Sequence, residues 1–141
     1  MNLRHVGITV TNIEESISFY EEILGFEVAR VMDESGEHID KFSALSDVRV
    51  KTVKMRDQQG GMIELLKYES HPAMANFDDI TRIGCSHFAL TVKNLDSLVE
   101  KIIKRGYTVN CEPQYSPDGN VKLTFCKGPD GVLLELVEEL T

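Results

Sequence analysis

The chain opens with Arg-His-Val-Gly-Ile-Thr-Val-Thr-Asn-Ile at residues 4–13, and Ser-His-Phe-Ala-Leu-Thr-Val-Lys-Asn-Leu at residues 86–95 repeats its outline. In both stretches a histidine, His5 or His87, begins an alternating apolar segment, and an asparagine precedes a helical pattern. A repeat of this kind indicates that one supersecondary unit is used twice. The sequence therefore predicts a duplicated fold with one histidine at the head of each copy.

The first copy has the pattern of a β-α-β-β-β unit. Asn12 is placed to cap a helix, with Glu15 as its capping-box partner, and Gly25 is placed to end that helix. The polar residues 33–41 are predicted to form a loop. Alternating or continuous apolar runs predict strands over residues 3–11, 26–32, 48–55 and 62–68.

The second copy repeats the same order. Its helix is predicted over residues 94–105 and ends at Gly106, and residues 112–120 are predicted to form a loop. Strands are predicted over residues 85–92, 107–111, 121–126 and 132–138. We therefore expect an α+β fold with a first module at 1–68, a linker at 69–82 and a second module at 83–141.

Composition narrows the class of protein further. The chain has 141 residues, 42% of them hydrophobic, and a formal net charge of -8. An acidic chain without a basic face disfavours binding to nucleic acid or to anionic membranes, and no apolar run is long enough to span a bilayer. A core strand that begins near Leu3 leaves no room for a signal peptide.

The three cysteines have no zinc-type spacing and are interpreted as reduced thiols of a cytoplasmic protein. Cys85 and Cys126 lie in apolar strand patterns and are expected in the core, whereas Cys111 adjoins a loop.

Strand alternation places four polar side chains on the faces opposite the apolar side chains of their strands. If Val6, Ile8 and Val10 lie under the first helix, His5 points to the opposite face of its sheet. Glu64 alternates away from its apolar neighbours in the same way. By the same alternation, His87 and Glu135 point away from the apolar side chains of their strands in the second copy.

A carboxylate inside an apolar strand is costly to bury unless its charge is compensated. Two imidazoles and two carboxylates suit a divalent transition ion such as Zn, Ni, Co, Mn or Fe. The alternatives are a hydrogen-bonded structural histidine in each copy and edge glutamates that face solvent. Recurrence of both residues at matching places favours the metal hypothesis.

The opening His5-Val-Gly-Ile-Thr-Val, together with Ser18-Phe-Tyr and Leu24-Gly-Phe, resembles the start of the vicinal oxygen chelate superfamily. The closing Gly128-Pro-Asp-Gly followed by Glu135 resembles its end, although Gly128 stands where an aspartate is common. The resemblance implies paired modules that form a curled eight-stranded mixed sheet around a metal cleft, with the helices outside. It also implies His5, Glu64, His87 and Glu135 as the metal ligands.

Members of the superfamily differ in the reaction that they catalyse or in the ligand that they bind, and the set of metal ligands helps to distinguish among them. Antibiotic-binding members generally lack the ligands, and a fourth ligand at Glu64 disfavours extradiol dioxygenation, which needs an open face. The set is most similar to that of bacterial glyoxalase I. The alternatives are a methylmalonyl-CoA-type epimerase, and a small-molecule binding protein without catalysis.

The resemblance to glyoxalase I implies a metal-dependent lyase or isomerase that removes a proton next to a chelated carbonyl or enediolate of a small, thiol-conjugated substrate. Glu135 is the expected ligand and base, with Glu64 in the symmetric role. The Asn-Trp pair that typically follows the first glutamate in glyoxalase I is missing after Leu65. No set of glutathione-binding residues is evident.

The remaining polar residues are interpreted as surface groups. Arg49, Lys54 and Arg56 could meet an anionic substrate, but solvated surface charges are the favoured interpretation. Surface positions are also expected for His38, Lys122 and Lys127, with a lid over the cleft as the alternative for His38. His71 is interpreted as a linker residue. Because relatives of this size commonly dimerise, a homodimer is the expected assembly.

Overall fold

The computed structural model describes residues 1–73 and 79–141. The chain forms two compact units, Met1–Ala75 and Asn76–Thr141. Residues 74–78 of the predicted linker lie outside the described residues. In the part of the chain that is described, no helix is long and apolar enough to cross a membrane.

The first unit contains four strands and two helices in its described part, and the first helix continues into a π-helical turn. These elements are β1 (Val6–Thr9), α1 (Ile13–Ser18) with its π-turn (Phe19–Ile23), β2 (Glu27–Ser35), α2 (Glu37–Ser43), β3 (Arg49–Arg56) and β4 (Met62–Tyr68).

The sheet of the first unit has the order β1-β4-β3-β2. β1 and β4 are parallel, and the two other pairs are antiparallel. One face of the sheet supplies Val53, Ile63 and Leu65 to the core, and α1 contacts β4. Full burial of a side chain of this size stabilises the fold by about 1.5–3 kcal/mol. The opposite face of β4 carries Glu64.

The second unit repeats this arrangement with five strands and one α-helix among its described residues. They are β5 (Phe88–Thr91), α3 (Leu95–Lys104), β6 (Thr108–Val109), β7 (Gln114–Tyr115), β8 (Val121–Lys127) and β9 (Leu133–Glu139), with a 3₁₀ turn (Pro129–Gly131) before β9.

The sheet order of the second unit is β5-β9-β8-β6, with β7 paired to β8. β5 and β9 are parallel, like β1 and β4 in the first unit. The predicted α+β class with two modules of similar design is therefore confirmed. The strands belong to two sheets of four and five strands, and the additional strand β7 lies inside the segment 112–120 that was predicted to be a loop.

Local capping explains where both long helices begin and end. Asn12 Oδ1 accepts a hydrogen bond from the backbone N–H of Glu15 at 3.1 Å, and Asn94 Oδ1 accepts one from Ser97 N–H at 3.2 Å. Gly25 and Gly106 follow the helices at φ values of 77° and 89°, where a side chain would be strained. The predicted boundaries at these four residues are confirmed.

The prediction of a loop over residues 33–41 was wrong. β2 continues to Ser35, and α2 follows it. Ile39 of α2 is buried together with Val48 and Val50, and Leu66 packs against them. The apolar pattern of this short helix is only a few residues wide, so tertiary contacts rather than periodicity determine it.

The first strand of each unit begins later than alternation predicted. Leu3 is 85% exposed and lies before β1, and Cys85 is exposed because β5 begins only at Phe88. The expectation of a core position for Cys85 was therefore wrong. Cys126 is fully buried in β8, as predicted.

We expect the three thiols to differ in reactivity. Burial raises the pKa of the Cys126 thiol to about 12, so only about one thiol in 10⁴ is ionised at pH 8, and the thiolate is the reactive form. Iodoacetamide should therefore modify the exposed Cys85 and Cys111 of the native protein and add a third group only after unfolding. Intact-mass spectrometry measures the number, and rapid native modification of Cys126 would contradict the structure.

Candidate metal centre

The first unit brings His5 and Glu64 together through the parallel pairing of β1 with β4. Gly7 is the register partner of Glu64. His5 lies two residues before Gly7, so both point to the same face. His5 Nε2 lies 3.6 Å from Glu64 Oε2.

The second unit repeats the arrangement with His87 and Glu135. Ala89, two residues after His87, is the register partner of Glu135 in the parallel pair β5 and β9. His87 Nε2 lies 3.4 Å from Glu135 Oε2. Each unit therefore presents one imidazole and one carboxylate from the same two positions of the same two strands.

All four side chains are partly exposed, so a solute can reach them. The exposed side-chain fractions are 32% and 15% for His5 and Glu64, and 34% and 26% for His87 and Glu135. Glu64 is the least exposed of the four, and its neighbours Ile63 and Leu65 are buried. A carboxylate in such a place is stabilised by a cation or by hydrogen-bond donors.

The separation of the donor atoms fits coordination of a metal by each pair. Ligand distances of about 2.1 Å place adjacent donors of one tetrahedral or octahedral ion about 3.0–3.4 Å apart. The observed separations of 3.6 Å and 3.4 Å are close to this range. Neither unit gathers three or more His, Cys, Asp or Glu side chains among its described residues. Each unit alone therefore provides two donors.

The two pairs differ in the residue that precedes the histidine. Ser86 Oγ lies 3.0 Å from His87 Nδ1. A hydroxyl can donate to this nitrogen or accept from it, so Ser86 can hold the ring in either neutral tautomer with Nε2 directed at Glu135. The first unit has Arg4 at the corresponding position.

The pairs also differ in the strand that lies beside each glutamate. Lys54 of β3 is the register partner of Glu64, whereas Phe125 of β8 is the register partner of Glu135. The Phe125 ring lies 5.0 Å from the His87 imidazole, between centroids, at an interplanar angle of 71°. An edge-to-face contact of this kind restrains the imidazole.

Two similar units, each with a histidine directly before its first strand and a glutamate in the last strand that pairs with it, are typical of the vicinal oxygen chelate proteins. The chain belongs to the Glyoxalase/Bleomycin resistance protein/Dioxygenase superfamily, whose family model matches residues 2–136.

Individual relatives agree with this assignment. The chain is 30% identical to a probable lactoylglutathione lyase of Synechocystis sp., over 98% of this chain and 95% of that protein. It is also 30% identical to a lactoylglutathione lyase of Escherichia coli O157:H7, over 99% and 93% of the two chains. A crystal structure of a glyoxalase family protein from Bacillus cereus matches with a TM-score of 0.91 at 26% identity, over 100% and 95% of the chains.

Most of the other polar residues singled out in the sequence lie apart from the pairs. Lys122 is buried, and its Nζ forms ion pairs with Asp96 and Glu138, which hold α3 against the β8–β9 hairpin. His38 is exposed on α2, and His71 Nδ1 is hydrogen-bonded to Ser70 Oγ at 2.8 Å.

Sequence reasoning did not assign roles to Ser86 and Phe125. Ser86 directly precedes His87, and this adjacency was the available signal. Phe125 could be found only from the register of the β8–β9 hairpin, which alternation within one strand does not provide.

Replacement of Ser86 should change the environment of His87 Nδ1 in the metal-free protein. The hydroxyl can bond Nδ1 in either neutral tautomer, so Ser86→Ala removes one hydrogen bond of about 1 kcal/mol from that nitrogen. Long-range ¹H–¹⁵N NMR should show a changed ¹⁵N chemical shift at His87 Nδ1. His5 serves as the internal control, and an unchanged shift at His87 Nδ1 would contradict the assigned contact.

Proposed function

We propose that this protein is a metal-dependent lyase or isomerase of the glyoxalase I type. The observation that carries the proposal is the pair of matching His–Glu contacts, one in each unit, at donor separations of 3.6 Å and 3.4 Å. The names of the relatives support the same chemistry, since both 30% identical relatives are lactoylglutathione lyases or probable ones.

In this proposal His5, Glu64, His87 and Glu135 together hold one divalent transition metal. Imidazole and carboxylate donors suit Zn, Ni, Co, Mn or Fe. When bound, the ion supplies Lewis-acid stabilisation of the oxygen that becomes negative during the reaction. Four protein donors leave one or two positions for water or substrate.

The chain's own contribution is the movement of a proton. A carboxylate oxygen of Glu135 or Glu64 takes the proton from the carbon next to the substrate carbonyl, and the electrons of that C–H bond form the carbon–carbon double bond of an enediolate. The resulting carboxylic acid returns the proton to the neighbouring carbon.

The His87 imidazole acts as a fixed support for this transfer. His87 is held from two sides, by Ser86 at Nδ1 and by the Phe125 ring. A ligand that is held in one orientation before substrate binds does not have to be ordered during the reaction. The same geometry leaves Nε2 directed at Glu135.

Metal binding is the first test. Addition of Zn²⁺, Ni²⁺, Co²⁺ or Mn²⁺ at about 100 times the dissociation constant should stabilise the chelator-treated protein by about 2.7 kcal/mol, a rise in Tm of about 5–10 °C. The variants His5→Ala and Glu135→Ala should lose most of this rise, because each removes one of four donors. Differential scanning calorimetry measures the shift, and metal analysis measures the stoichiometry.

His38→Ala is the matched control, because His38 is exposed on α2 and should retain the full response. One ion for each chain is expected. Two ions for each chain would show that the His–Glu pairs act as separate sites and would overturn the shared centre. Failure of all four metals to bind would overturn the enzyme proposal.

Turnover is the second test. The metal-loaded protein should convert the hemithioacetal of methylglyoxal and glutathione into a thioester, followed by absorbance at 240 nm. Glu64→Gln and Glu135→Gln retain an oxygen donor but lose the basic carboxylate, so at least one should reduce kcat about 10²-fold or more. Activity towards a methylmalonyl thioester instead of the hemithioacetal would replace the lyase assignment with an epimerase.

A further inference from the structure

A row of register-paired residues crosses the sheet of the first unit at the level of the candidate metal ligand. Gly7 of β1 pairs with Glu64 of β4, Glu64 pairs with Lys54 of β3, and Lys54 pairs with Arg30 of β2. Paired residues in adjacent strands point to the same face. Lys54 and Arg30 therefore lie on the face that carries Glu64.

A β-bulge places Arg30 in this row. Val28 pairs with Met55, whereas Arg30 pairs with Lys54, so Ala29 is the extra residue of β2. Without the bulge Ala29 would face Lys54, and Arg30 would point to the opposite face. Bulges are enriched beside active sites, where they redirect a side chain.

Neither cation forms an ion pair with a carboxylate of the described residues. In residues 1–73 and 79–141, no carboxylate lies within 4.0 Å of the side-chain nitrogens of Lys54 or Arg30. Like charges on directly paired residues destabilise a sheet. Lys54 is half-buried, so its charge is only partly screened by water. Glu64, the acidic residue that pairs with Lys54 in this row, binds the metal in the proposed function. An anionic group of the substrate would then balance the remaining positive charge.

The equivalent row of the second unit has an aromatic residue in the place of Lys54. Ala89 pairs with Glu135, and Glu135 pairs with Phe125. The backbone N–H of Asn110 donates to the Phe125 carbonyl, so no cation follows in the row. The cationic row is therefore not a general requirement of the fold, because the second copy forms the same sheet without it.

We propose that Lys54 and Arg30 bind an anionic oxygen group of the substrate, a carboxylate or a phosphate. This inference rests on the proposed function, since it takes the metal-bound end of the substrate to lie at Glu64. Neighbouring strands are about 4.8 Å apart, so the anion lies about 5–10 Å from that end of the substrate. Lys54 supplies a compact charge, and Arg30 supplies a planar pair of donors that matches an oxyanion.

Metal-chelating hydroxamates of different charge test the inference in the Zn²⁺-loaded protein. Acetohydroxamate has no anionic group, succinate monohydroxamate has a carboxylate, and phosphonoacetohydroxamate has a phosphonate. Isothermal titration calorimetry should show about ten-fold tighter binding for at least one anionic probe than for acetohydroxamate. Lys54→Met should abolish this preference, and Arg30→Met should reduce it, while acetohydroxamate binds both variants as tightly as it binds the wild type.

Lys51→Met is the matched control, because Lys51 lies on β3 with the same half-buried exposure but on the opposite face. It should retain the full preference. Equal binding of all three probes to the wild type, or a preference that survives Lys54→Met, would overturn the inference. The inference would also be overturned if Lys54→Met weakened the binding of the neutral and the anionic probes to the same extent. Lys54 would then act only through its effect on Glu64. Failure of acetohydroxamate to bind the wild type would instead contradict the proposed metal centre.

Discussion

The parallel pairing of the first and last strands determines both the core and the candidate site in each unit. The register that buries Ile63 and Leu65 on one face of β4 also directs Glu64 to the face of His5. A shift of one residue would reverse both orientations, because side chains alternate along a strand. Burial of the apolar residues therefore holds the carboxylate in place. The free energy of folding and the position of the candidate metal donors depend on the same contact.

Much of this arrangement could be predicted from the sequence. The strand Met62–Tyr68 and the caps at Asn12 and Asn94 are local features, since the chemistry of each is contained in a few neighbouring residues. Alternation was sufficient to place Glu64 and Glu135 on the face opposite their apolar neighbours. Repetition of the pattern in two copies provided the information that one copy alone would lack.

Features that depend on contacts distant in sequence could not be predicted. The helix α2 lies in a polar segment and is stabilised by burial of Ile39 against Val48 and Val50. The neighbours of the two glutamates depend on hairpin register, and the length of each turn decides that register. The bulge at Ala29 adds one residue to β2 and reverses the face of Arg30. Nothing in the local composition of β2 marks this change.

Because the two units are copies of one design, the residues that differ between them, such as the neighbours of the two glutamates, bear on substrate specificity. In the proposed function the two copies supply the same donor types, so the donors alone would not distinguish one end of a substrate from the other. Distinction must come from residues that differ between the copies, and the largest difference beside the donors is Lys54 in one row and Phe125 in the other. A cation favours a charged group, and an aromatic ring favours an apolar one. In the proposed function, both copies can thus keep the same candidate donors while the strand beside each glutamate sets the orientation of the substrate.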